Sequence, residues 1–145
     1  MASKVYHEAI KQMMEAYLAS SDDIRCALLM TSTDANVTVD AAFLDDLSLD
    51  ECDGTNYARK TFSSEAVTDD DTNDRAEFDA EDLVWSALGN GAREIEGALI
   101  YLHVTDDTDS VPICYIEFAS TINPGGGDLT VTWDTEGILQ GSSAT

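Results

Sequence analysis

Asp69, Asp71 and Asn73 set side-chain oxygens at every second residue, the spacing that opens a calcium loop of the EF-hand kind. The remainder of that pattern is missing. Asp74 stands where the sharp turn needs glycine, Ala80 stands where a bidentate glutamate belongs, and the flanking residues read as strands. This run, like Asp106, Asp107 and Asp109, therefore reads as a solvated hairpin tip, and no metal ligand is assigned. His7 and His103 fall in different elements and no serine is framed by the glycines of a nucleophile elbow, so no Ser-His-Asp set is assigned. Gly89, Asn90 and Gly91 lack the third glycine and following helix of a dinucleotide fingerprint, and residues 125–127 lack the lysine of a phosphate loop. With 29 acidic residues, carboxylate pairs arise by chance and do not indicate glycoside hydrolysis. The expectation is a chain without catalytic, cofactor-binding or metal-binding residues: no cofactor, and not an enzyme.

Two binding surfaces remain as candidates. Trp85, Trp133, Phe78, Phe118 and Tyr115 could form a carbohydrate platform, although aromatics on alternating strands more often fill the interior of a sandwich. Tyr6, Ile10, Met13, Met14 and Tyr17 recur at three- and four-residue spacing and give one apolar helix face, the candidate partner-binding surface. A terminal amphipathic helix ahead of a β domain must cover either its own sheet or another chain, and the sequence leaves both open.

The elements that position these residues follow from periodicity. Residues 3–19 predict a helix with Ser3 as its cap, ended by Ser20, Ser21, Asp22 and Asp23. Residues 24–31 predict a strand buried on both faces, with a short helix as the alternative for so short a run, and residues 32–56 an acidic loop with one short helical turn. Strand-like runs follow at 58–67, 76–80, 83–88, 97–104, 111–118 and 129–133, with a polar turn at 69–74 and the clearest hairpin across 105–110; residues 137–139 lead into a frayed tail. The pattern predicts an all-β fold, an antiparallel β-sandwich or barrel with jelly-roll-like forms among them, preceded by an amphipathic helix. Residues 1–21 are read as a helical arm and 22–145 as the β-sandwich domain.

The 145 residues, 43% of them apolar, can bury one real core. Seven basic residues against 29 acidic ones leave a net charge of −22, which makes nucleic acid and anionic membranes poor partners. Such acidity also suits a protein working in high salt, where self-repulsion is screened. No secretory h-region and no apolar run of about 18 residues is found, so neither signal peptide nor membrane helix is expected. Cys26, Cys52 and Cys114, odd in number and widely spaced, read as free thiols of a protein made in a reducing cytoplasm.

From residue 24 onward the order of segments resembles a family of small virion proteins of tailed bacteriophages, the head decoration or cement proteins. The segments are 24–32 (IRCALLMTS), 43–47 (FLDDL), 51–57 (ECDGTNY), 79–85 (DAEDLVW), 98–101 (ALIY), 116–118 (IEF) and 125–139 (GGGDLTVTWDTEGIL). Each alone is strand-and-turn text; their order and spacing carry the likeness over about 120 residues. The higher acidity and the segment through Leu18 depart from the family's pattern. The resemblance implies a non-enzymatic β-sandwich, made in the bacterial host cytoplasm, that self-associates as a trimer and binds the major capsid protein on the outer surface of the icosahedral head. There it would stabilise the shell against packaged DNA. A surface or tail module recognising host glycans, and a tail or connector component, are the alternative readings.

Overall fold

A computed structural model of the chain describes residues 4–18 and 23–142. The predicted cap Ser3 and the helix-ending Ser20, Ser21 and Asp22 lie outside the described residues. Among the described residues one α-helix, α1 (His7–Leu18), is followed by nine strands: β1 (Ile24–Met30), β2 (Lys60–Thr61), β3 (Ala66–Asp70), β4 (Arg75–Asp79), β5 (Leu83–Leu88), β6 (Ile95–Leu102), β7 (Val111–Ile122), β8 (Gly127–Val131) and β9 (Leu139–Ser142). Among the described residues all strand pairs are antiparallel and no sheet closes on itself, so the fold is all-β with open sheets, which fits a sandwich.

Contacts divide the chain into two compact units. The first takes residues 1–22, 62–82 and 132–145; the second takes 23–61 and 83–131. In the first unit α1 packs on a sheet ordered β3-β4-β9. Its interior is built from Leu18, Phe62, Ala76, Phe78 and Trp133, all buried. Phe62 and Trp133 meet with ring centroids 5.4 Å apart and planes tilted by 44°, an edge-biased packing that aromatic quadrupoles favour.

The second unit holds a four-stranded sheet ordered β2-β1-β6-β7 and a two-stranded ribbon of β5 and β8. As its unbroken apolar run predicts, β1 is buried on both faces. One face, Ala27 and Leu29 with Leu99 and Tyr101 of β6, is covered by Ala35, Leu44, Leu47 and Leu49 from the acidic loop. That loop contains the predicted helical turn, a single 3-10 turn at Leu44–Asp46. The expected hairpin across 105–110 is formed by β6 and β7.

Two expected strands are redrawn, and one strand appears where none was expected. The run 58–67 does not form one strand: β2 ends at Thr61, Ser64 adopts a left-handed φ of 57°, and β3 begins at Ala66 in a different sheet. A backbone turned into that region cannot continue a pleated ladder. Where a frayed tail was expected, the chain forms β9 after Gly137, at φ 91°, closes a turn by donating its N–H to Asp134 O at 2.9 Å. β7 extends to Ile122, four residues past the expected end, the extra length passing through an irregularity between the pairs Gly97↔Glu117 and Ile95↔Ile122.

Candidate functional site

The five residues of the predicted helix face do not all turn the same way. Ile10 and Met14 face the sheet of their own unit, where Gly141 of β9 makes room for them. A Cβ at that glycine would collide with Ile10 Cγ2 and lie 3.3 Å from Met14 Sδ. Leu18 is buried. Polar contacts clamp the same side of α1 to β3 and the turn that follows it: Lys11 Nζ lies 3.1 Å from Asp69 Oδ2, and His7 Nε2 lies 3.0 Å from Asp71 Oδ1. The Asp69 hydrogen bond, with its charge, raises the Lys11 pKa above the ordinary lysine value. Tyr6, Met13 and Tyr17, seven and four residues apart on one helical stripe, are 79%, 61% and 42% exposed. The helix therefore covers its own sheet and still presents an apolar stripe outward.

The second candidate surface is corrected. Trp85 and Phe78 are 1% exposed and Trp133 is 9% exposed, so these rings are core and not a carbohydrate platform. Their polar handles are also spent: Trp85 Nε1–H donates to Ala58 O at 2.7 Å, and Trp133 Nε1–H to Glu81 O at 3.1 Å. Tyr115 is half-buried and its ring lies over Gly97, where an added Cβ would come within 2.6 Å of Tyr115 Cζ. Phe118 is half-buried on β7.

Chemistry-bearing side chains in the turns serve the backbone. Asp70 accepts from the N–H groups of Thr72 and Asn73. Asp106 accepts from Thr108, and Asp109 from the N–H groups of Thr105 and Asp106; these amide bonds hold the Asp109 carboxyl below its ordinary pKa. Among the described residues no group of three or more His, Cys, Asp and Glu is placed to hold a metal ion. Ser110 Oγ and His103 Nδ1 are 3.5 Å apart, but Ser110 is fully buried and its hydroxyl accepts the Val104 N–H, closing the hairpin.

Sequence reasoning missed the densest polar cluster, which centres on Arg59. Its Nε and Nη2 donate to the two oxygens of Glu51 at 2.8 and 2.7 Å; Nη1 and Nη2 donate to those of Asp107 at 2.6 and 2.9 Å. Nη1 also reaches Tyr101 Oη at 3.3 Å, which occupies every N–H of the guanidinium. Tyr57 Oη donates to Glu51 at 2.6 Å and accepts the Leu28 N–H at 3.1 Å, tying the cluster to β1. The Arg59 hydrogen bonds hold Asp107 below the ordinary carboxylate pKa. The other arginines are likewise ion-paired: Arg25 with Asp23, Arg75 with Asp70, Glu77 and Glu136, and Arg93 with Asp50. The available signal was scarcity, because a basic residue kept among so many acids finds a carboxylate.

The thiols are free. Cys26 and Cys114 are both in register with Ile100, one strand to either side of it, which places them roughly 9–10 Å apart and beyond disulfide reach. Burial pushes the Cys114 thiol up to about 11, so it stays protonated and weakly nucleophilic at neutral pH. Cys114 lines a cleft of about 140 Å3, together with Val39, Leu47, Leu99, Pro112 and Ile113. Its walls offer apolar contact and no converging charged groups.

These features define a class by fold alone: an antiparallel, open-sheet all-β chain with an N-terminal helix and a strongly acidic composition. No family model matches the chain, and no curated protein or solved structure matches it.

Proposed function

We propose that this chain is a non-enzymatic head decoration, or cement, protein of a tailed bacteriophage. In this reading it binds the major capsid protein on the outer surface of the icosahedral shell. Support comes from the ordered resemblance of residues 24–139 and from what the side chains are used for. The carboxylates, arginines and indoles described above are committed to turns, ion pairs and core. The observation that carries the proposal is the divided face of α1. Ile10 and Met14 serve the helix's own sheet, while Tyr6, just ahead of α1, and Met13 on it remain outward as apolar anchors on a chain of net charge −22.

The mechanism is linkage. A protein that binds only the expanded lattice and bridges neighbouring subunits stabilises that lattice in proportion to its occupancy. Many copies acting together let each contact be modest. The charge favours an exterior position, because the surplus carboxylates would be repelled by genome phosphates inside the shell.

Binding of the purified chain to expanded heads tests this. Tyr6→Ser together with Met13→Ser removes two anchors without touching Ile10, Met14 or Leu18. We expect that pair to lower head occupancy at least about tenfold, the equivalent of roughly 1.4 kcal/mol. Unchanged occupancy would remove α1 from the docking surface.

A further inference from the structure

We propose that the outer edge of β7, with the adjoining loop 35–41, is a self-association surface at which a second copy adds its own β7 antiparallel about a two-fold axis. The two edges of the four-stranded sheet are treated differently by the fold. At one edge, β2 is only two residues long and carries Lys60. The rest of β1 on that side is sealed, since Cys52 N–H donates to Leu28 O at 2.9 Å and Met30 N–H to Asp50 O at 2.7 Å. Short length, a lysine and a covering segment are the usual means of closing an edge.

At the other edge, β7 runs for 12 residues. Among the described residues its backbone is hydrogen-bonded to β6 alone. Alternate residues along such a strand turn their N–H and C=O groups away from the sheet, where another strand can pair with them. Pro112, with no N–H, and the irregularity at Ile113 confine ladder pairing to the stretch beginning at Cys114.

Charge argues for the occupant. In a chain with 25% charged residues and a net charge of −22, β7 carries Glu117 as its single charge, and the loop 35–41 carries only Asp40. The two segments are contiguous, since Val39 and Ala41 face Pro112 to Tyr115 across the cleft. Val37 and Val39 stand 72% and 89% exposed beside it. Two copies repel each other wherever their carboxylates face, and here they can meet almost without them. A basic partner would be drawn to the acidic surface elsewhere and not to this strand. Because the β2 edge is sealed, head-to-tail addition is blocked and β7-to-β7 pairing closes on a dimer. That outcome differs from the trimer implied by the resemblance, and it can be tested on the free chain whether or not the chain decorates heads.

Sedimentation equilibrium of the full chain in about 1 M salt, where the Debye length is near 3 Å, should show a monomer–dimer equilibrium. Val37→Asp with Val39→Asp, both on an exposed loop, should weaken it roughly tenfold or more while leaving the circular dichroism unchanged. Amide hydrogen exchange of residues 114–122 should slow as concentration rises. A monomer at all concentrations, a trimer, or a dimer in which neither the Asp variants nor the β7 amides respond would overturn the proposal.

Discussion

Arg59 shows how one residue organises its surroundings. It brings Glu51 and Asp107 together although 48 residues separate it from Asp107, and its guanidinium carbon lies 5.3 Å from the centre of the Tyr101 ring. Arg59→Met would leave two part-buried carboxylates without a cation and is expected to destabilise the chain by about 2–4 kcal/mol in urea unfolding. The effect should depend on pH. Asp107 titrates below its ordinary value of 3.8, chiefly through the Arg59 hydrogen bonds. Its stabilisation is therefore complete above that ordinary value and is lost as the pH falls through the depressed one. The gap between wild type and variant should narrow on acidification below about pH 4; a gap that stays constant would mean the pairing adds little. Nothing in the local sequence around Arg59 reveals this cluster, because its partners are distant in the chain and become neighbours only when β1, β6 and the loops fold.

At the scale of elements, α1 and the β3-β4-β9 sheet depend on a glycine in β9. Gly141→Val should force Ile10 and Met14 away from the sheet, costing about 1–3 kcal/mol. Faster amide exchange in His7–Leu18 than in the wild type would mark the displaced helix, and unchanged exchange would show that the helix is held by its polar clamps alone. The helix was legible in its 3.6-residue apolar period, whereas the unbroken apolar run of β1 fits a buried strand and a short helix alike until its pairing with β6 decides it. The split after Thr61 was not. Ala58 to Val67 has strand composition throughout, and only the left-handed Ser64, beside Ser63 and Ser64 hydroxyls that donate to Glu81, sends the chain to another sheet. Which side of the helix would be covered was equally hidden, because Gly141 lies more than 120 residues downstream.

For the whole molecule, surplus charge competes with paired charge. Salt weakens the arginine ion pairs, but the net surplus of 22 negative charges outweighs them, and relief of that repulsion should dominate. Raising NaCl from 0.1 to 1 M is expected to increase Tm by several degrees, on the order of 1 kcal/mol for a chain of this size; a fall in Tm would show that ion pairing outweighs repulsion. Under the head-decoration proposal, the same acidity would favour the outside of a DNA-filled shell over its interior. The most direct measurement of that proposal is a reconstruction of phage particles assembled in the presence of this chain. The head-decoration proposal predicts β-rich density for this chain on the outer face of the capsid, with α1 turned toward the lattice. Its absence from the particle, or density confined to the tail, would contradict it.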